Sequence, residues 1–220
     1  MRCLVIFDMD GVIIDSEPLH LSCEKEIFEL LGISISKEQH LSFVGTTNKS
    51  MWEQLKKIYN IPQSVTVLVK QQQSIYLELL KKDKTINPIP YVETLIKSLH
   101  ENGYILGLAS SSPHSQIDYI LDMLNLKPFF RNIISGDDVK NGKPNPGIFQ
   151  KISAVSRISP ENCIVIEDSF NGVIAAKNAG MKCIGFKNPN SGNQDLGNAD
   201  LIINSFSELT PNMIYRLLIE

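Results

Sequence analysis

The chain has 220 residues, 43% of them hydrophobic, which suffices for one large domain or two modest ones with a proper core and no disulfide staples. Its 21 Lys and Arg against 24 Asp and Glu leave a net charge of −3 with no basic cluster, which argues against nucleic acid or an anionic membrane as partner and leaves small ligands. No apolar stretch reaches roughly 18 residues, and no charged leader with a cleavage site precedes the first apolar run, so a cytoplasmic protein is expected.

The first apolar run, Leu4-Val5-Ile6-Phe7, reads as a strand covered on both faces and ends in Asp8-Met9-Asp10-Gly11. Side chains alternate along a strand, so two acids two residues apart would share a face, and Gly11 lets the backbone turn sharply just after them. Ile13 to Pro18 then reads as a linker. Leu19 to Leu31 before Gly32, Ser50 to Tyr59 before Pro62, and Val65 to Lys81 carry apolar positions at helical spacing with no strand between them. They predict a small helical insert with Trp52 and Tyr59 in its interior. Lys82 to Pro90, with two prolines, is the returning linker.

From Pro88 onward strand and helix alternate. Strands are expected at Ile105 to Ala109, Ile133-Ile134, Cys163 to Ile166, Cys183 to Phe186 and Leu201 to Ile203. Helices are expected at Val92 to His100, Gln116 to Leu124, Ile148 to Val155, and Gly172 to Ala179 with Gly180 as a left-handed cap. The pattern predicts an α/β fold: a doubly wound, mostly parallel, Rossmann-like core sheet from residues 1–14 and 83–220, interrupted by an all-helical cap of residues 15–82. Cys3, Cys23, Cys163 and Cys183 lack CxxC spacing and read as reduced packing residues.

Ligands of open α/β sheets bind beyond the carboxyl ends of the strands. That position holds Asp8 and Asp10 after the first run, Ser110-Ser111-Ser112 after the second and Glu167-Asp168 after the fourth, while Lys143 follows the third in a Pro- and Gly-rich loop. Crowded carboxylates without His or Cys call for a hard, oxygen-loving cation such as Mg²⁺. Serine hydroxyls, turn amides and one ammonium suit a phosphate. Carboxylates, metal and a phosphate cradle together indicate phosphoryl transfer. With no serine, cysteine or histidine placed as an activated nucleophile, Asp8 would attack phosphorus to form an aspartyl-phosphate. Asp10 would protonate the leaving oxygen and then activate water, and Lys143 would offset charge on the phosphoryl oxygens.

Each feature alone has a plainer explanation. Asp-x-Asp-Gly also occurs in calcium loops, but here a strand precedes it and Val12-Ile13-Ile14 follow where further oxygen ligands would be needed. Glu167-Asp168 and Ser110 to Ser112 could cap the helices that follow them, and a lysine such as Lys143 is ordinarily solvated. The four-part combination is what makes them a site.

In that combination the residues resemble the haloacid dehalogenase-like superfamily of aspartate-nucleophile phosphotransferases, in the branch that contains β-phosphoglucomutase and sugar-phosphate phosphatases. The likeness covers essentially the whole chain and rests on Asp8-Met9-Asp10-Gly11-Val12, Ser110, Lys143 in Gly-Lys-Pro, and Glu167-Asp168-Ser169. The resemblance implies Mg²⁺ held by the Asp8 side chain, the Asp10 backbone carbonyl and Asp168 with Glu167, and phosphate binding at Ser110 with Ser111 and Lys143 nearby. It also implies that the insert is the family's helical cap. Asp15-Ser16-Glu17-Pro18-Leu19-His20 is similar to the stretch leading into that cap, which would turn His20 toward the site, although a lone histidine at a helix start is also an ordinary capping residue.

The pattern departs from β-phosphoglucomutase in the cap. After Gly45-Thr46-Thr47, Asn48 stands where that enzyme carries an arginine for the substrate's second phosphate, with Lys49 next; Gln72, with Lys70 close by, falls near the position of a cap lysine. Asparagine lacks arginine's bidentate, permanently charged fork. The expected protein is therefore a monomeric, Mg²⁺-dependent phosphatase for a small phosphorylated metabolite such as a sugar phosphate. A phosphosugar mutase, which would pass the phosphoryl group to a substrate hydroxyl, is the nearest rival. A non-catalytic phosphometabolite sensor that uses cap motion for signalling is the alternative of another class.

Overall fold

A computed structural model describes residues 3–43, 46–83 and 86–219. Its frame is a six-stranded parallel sheet in the order β3-β2-β1-β4-β5-β6, formed by β1 (Leu4–Phe7), β2 (Ile105–Ser110), β3 (Asn132–Ser135), β4 (Cys163–Glu167), β5 (Lys182–Phe186) and β6 (Leu201–Ile203). Phe7 pairs in register with Leu108 on one side and Ile166 on the other, so the three central strands end at one edge.

Alternate residues of the strands feed two cores, as a sheet covered on both faces requires. Val5, Phe7, Leu106, Leu108, Ile164 and Ile166 pack against α5 (Val92–Glu101), α6 (His114–Met123) and α9 (Pro211–Ile219). Leu4, Ile6, Ala109, Cys163 and Val165 pack on the opposite face against α7 (Gly147–Ser156) and α8 (Phe170–Asn178). β1 is fully buried, and each of its aliphatic side chains contributes roughly 1.5–3 kcal/mol by leaving water.

The insert is all helical: α1 (Glu17–Leu31), α2 (Lys37–Leu41), α3 (Asn48–Tyr59) and α4 (Val65–Lys82). Thr47 and Ser64 start α3 and α4 by accepting the Ser50 and Val67 amide protons on their side-chain oxygens, and Gly32 ends α1 in the left-handed conformation. A separate core of Ile27, Phe28, Met51, Trp52, Leu55 and Leu68 holds these helices together. The Trp52 indole in that core donates to Gln72 Oε1 at 2.8 Å, so Gln72 turns into the cap interior. Tyr59 is only partly buried and donates to the Ser34 carbonyl. At the base of the insert Leu19, Cys23, Tyr76 and Leu80 merge with the core beneath.

The two tethers are joined to each other. Ile14 bridges to Asp10 in parallel and to Pro88 in antiparallel fashion, and the Ile89 amide donates to the Ile13 carbonyl at 2.8 Å. The expected Gly45 and the Lys84-Thr85 part of the returning tether lie outside the described residues. Two helices not expected from the sequence are α2, only five residues long, and α9, which closes the end of the chain. Helix limits otherwise agree to within a residue or two. All four cysteines are free and buried, and among the described residues no helix is long and apolar enough to cross a membrane.

Candidate active site

The chain leaves β1 through a tight turn in which the Ile13 and Ile14 amides donate to the Met9 carbonyl at 2.8 and 3.1 Å. Gly11 takes φ +78 there, and a Cβ at that position would fall 2.0 Å from Asp168 Oδ2. Only glycine accommodates both the conformation and the carboxylate pressed against it. Asp8 thereby stands at the end of the central strand, with Ser110 at the end of β2 and Glu167-Asp168 at the end of β4 on either side.

Lys143 reaches this edge from its loop and is almost completely buried. Its ammonium donates to Asp8 Oδ1 at 2.8 Å, Glu167 Oε1 at 2.6 Å and the Ala109 carbonyl at 3.3 Å, above the Phe149 ring at 5.2 Å. The sequence alone would leave this lysine in solvent; three acceptors and an aromatic face bring it inside. Glu167 commits its other oxygen to the amides of Asp168 and Ser169 and to the Ser169 hydroxyl, at 3.0, 3.1 and 2.9 Å, so it orients Lys143 and the start of α8.

The remaining acids are short of positive charge. Burial, more than the neighbouring Glu167 and Asp10, pushes the Asp8 carboxyl up to about 8 despite Lys143. Burial together with Glu167 and Asp8 raises Asp168 well above the usual carboxylate range. Carboxylate oxygens of Asp8, Glu167 and Asp168 lie within 4.8 Å of one another. Lys143 and the Ser191 hydroxyl each engage one oxygen of Asp8 and Asp168 respectively, while the second oxygen of each has no hydrogen-bond partner among the described residues. An all-oxygen acidic set short of positive charge fits a divalent metal ion.

Asp10 has different surroundings. Its Oδ2 accepts from the hydroxyls of Ser112 at 2.6 Å and Ser110 at 3.3 Å, and its buried Oδ1 has His20 Nε2 3.6 Å away. Burial favours the neutral acid, but His20 and the serine hydroxyls outweigh it and hold Asp10 at about 2. His20, raised in turn by Asp10 in spite of its burial, comes from α1 of the insert and stacks on Tyr76 of α4 with ring centroids 4.6 Å apart. The insert therefore places an imidazole beside the acid at the turn.

Asp8, Asp10, His20, Asn48, Ser111 and Asp168 all line one cavity of about 80 Å³ between insert and sheet. Ser110 is fully buried, its hydroxyl accepting the Ser112 amide at 3.0 Å and donating to Asp10. Ser112, part of the serine run expected at the end of β2, lines the cavity too, while four other polar lining residues had no role in the sequence reading: Ser191, Glu17, Glu24 and His40. The spacing of Glu17, His20 and Glu24 on α1, three and then four residues apart, was a legible signal, because it marks a polar stripe on a helix that otherwise buries Leu19, Cys23 and Ile27.

A model of the haloacid dehalogenase-like hydrolases matches residues 5–186. The chain is 32% identical over 184 residues to a phosphorylated carbohydrates phosphatase of Thermotoga maritima, covering 82% of each chain. It is 31% identical over 209 residues to hexitol phosphatase B of Escherichia coli K12, covering 93% of each. A crystal structure of β-phosphoglucomutase from Clostridium difficile superposes with a TM-score of 0.88 at 25% identity, over 100% of this chain and 98% of that one.

Proposed function

The chain belongs to the haloacid dehalogenase-like hydrolases, is a phosphatase of that family, and on that premise we propose that it hydrolyses monophosphate esters of small polyhydroxy metabolites, such as sugar phosphates, with Mg²⁺ and through an aspartyl-phosphate on Asp8. The observation that carries this reading is the contrast between two acids of one turn: Asp8 held against Lys143 within an acidic cluster, and Asp10 held as a carboxylate by His20 and Ser112.

Asp8 attacks phosphorus with the oxygen that Lys143 does not engage, and the ester bond to the leaving oxygen breaks. The departing alkoxide takes a proton delivered at the Asp10 and His20 pair, which stands on the cavity side of the turn. Asp10, a carboxylate once the pair has given up that proton, then takes a proton from water as the water oxygen bonds to phosphorus and the bond from phosphorus to the Asp8 oxygen breaks, which releases inorganic phosphate, frees Asp8 and returns a proton to the Asp10 and His20 pair. Mg²⁺ bound at Asp8 and Asp168 would supply charge stabilisation for the phosphoryl oxygens and favour the ionised form of Asp8. Lys143 restrains Asp8 and contributes the fixed positive charge, while Ser111, which lines the cavity beside Asp8, would help to hold the phosphate.

Likeness to β-phosphoglucomutase favours a second reading, return of the phosphoryl group to another hydroxyl of a sugar phosphate. Asn48 lines the cavity at the first residue of α3 and brings no charge to a second phosphate, so hydrolysis is the reading we adopt. Phosphate release and isomer formation are to be assayed together, with and without a sugar bisphosphate primer, while hydroxylamine traps an acyl-phosphate at Asp8. Free phosphate and a trapped Asp8 are expected; isomer without phosphate release would establish the mutase instead.

A further inference from the structure

The insert's side of the cavity carries a polar cluster that the phosphoryl chemistry does not use. His40, on α2, is buried with both ring nitrogens engaged: Nε2 stands 2.5 Å from Glu17 Oε1, and Nδ1 faces Glu24 Oε2. All three side chains line the cavity that holds Asp8 and Asp10. An imidazole placed between two carboxylates donates from both nitrogens, which is the charged form. Burial opposes that charge, but the hydrogen bonds to Glu17 and Glu24 prevail and lift His40 to about 9. One imidazolium between two carboxylates leaves a net negative charge on this three-residue cluster. Each glutamate spends one oxygen on the ring, and the second oxygen of each has no hydrogen-bond partner among the described residues. His20, on the same side of the cavity, is turned toward Asp10, and the other lining residues of the insert, Phe43, Thr46, Thr47, Asn48 and Met51, are neutral.

We propose that Glu17 and Glu24, braced by His40, form a hydroxyl-reading subsite that accepts hydrogen bonds from the alcohol groups at the substrate end remote from its phosphate and turns a second phosphate away. The proposal deepens the phosphomonoesterase reading and rests on it. Carboxylate oxygens only accept, so they suit neutral donors such as alcohols and repel an anion. The imidazolium has no donor left to offer a phosphate oxygen, because both its protons are committed. His40 is a positioning residue: it holds together two carboxylates that would otherwise part, and so fixes where their free oxygens point.

The test compares kcat/KM with Mg²⁺ for sorbitol 6-phosphate, fructose 1,6-bisphosphate and 4-nitrophenyl phosphate in the wild type, Glu24→Gln and His40→Asn, with melting curves to confirm folding. Should His40→Asn fail to fold, Glu24→Gln carries the test. Calorimetric binding of sorbitol 6-phosphate to Asp8→Asn, with and without Glu24→Gln, gives a readout free of turnover. The wild type is expected to prefer the polyol monophosphate to the bisphosphate by roughly tenfold or more, and Glu24→Gln to lower the ratio of its kcat/KM to that of the aryl ester by about tenfold, chiefly through KM. Discrimination against the bisphosphate should narrow in step, and calorimetric affinity should fall by a similar factor. An unchanged ratio, or a wild type that prefers the bisphosphate, overturns the subsite. Release of phosphate from none of the three esters overturns the phosphatase reading instead; the subsite then stands or falls on calorimetry, and equal binding with and without the Glu24 carboxylate overturns it.

Discussion

Two carboxylates two residues apart acquire opposite character because their neighbours differ. Asp8 shares Lys143 with Glu167 in a buried, acid-rich cluster, whereas Asp10 has His20 and two serines to itself. Asp8→Asn is expected to cut turnover by a thousandfold or more, on the order of what loss of a covalent nucleophile costs, in steady-state assays checked for deamidation. Lys143→Met removes the cation from two buried acids and should cost about 3–5 kcal/mol in denaturant unfolding at neutral pH. The sign with pH follows from the raised carboxyl of Asp8: its penalty is absent where the unfolded acid is itself protonated, grows as pH rises above that value and levels off near the folded one. Unfolding of the variant should therefore approach wild type in acid, and a deficit that widened on acidification would contradict the assignment. Gly11→Ala should push Asp168 aside and shift the Mg²⁺ dependence of activity to higher concentration.

At the level of helices and strands, the sheet was readable because β1, β2 and β4 are continuous apolar runs punctuated by chemistry at their ends. The short α2 was not, since five residues show too little of a 3.6-residue period, and its His40 went unread with it. Lys143 was readable only as one member of a set, and its burial became visible when the loop closed over the strand ends. Gln72 was placed near a substrate-facing position by resemblance, yet it serves the cap core, because Trp52 needs a buried acceptor. Gln72→Leu should strand the indole N–H and destabilise the cap by roughly 1–3 kcal/mol in thermal melts. The acidic pair around His40 gives the cap a pH signature. His40 is lifted from 6.5 to about 9, so its stabilising contribution is full below the lower value and is lost as pH rises through the upper one. Melting temperatures of wild type and His40→Asn should therefore differ most in mild acid and converge in alkali; a gap that grew with pH would refute the charged triad.

For the molecule as a whole, the site is a cavity of about 80 Å³ between insert and sheet, with room for on the order of six water-sized groups. Closure is registered at one narrow contact, where a Cβ on Gly142, next to Lys143, would lie 2.5 Å from Thr47 Cγ2 at the start of α3. Gly142→Ala should prop the cap open and reduce kcat/KM by about tenfold. Thr47→Ser in the same chain, which removes the obstructing methyl and keeps the capping oxygen, should restore it; failure of that rescue in the double variant would show that the contact does not limit closing. The stitched tethers, Ile14 to Pro88 and Ile13 to Ile89, have a wider meaning. Straps sewn together at the root give the insert one shared attachment, so His20 and the glutamates are carried on a single body anchored beside the turn that bears Asp10. Selection on that body alone is then free to exchange one metabolite for another while the sheet beneath keeps its chemistry.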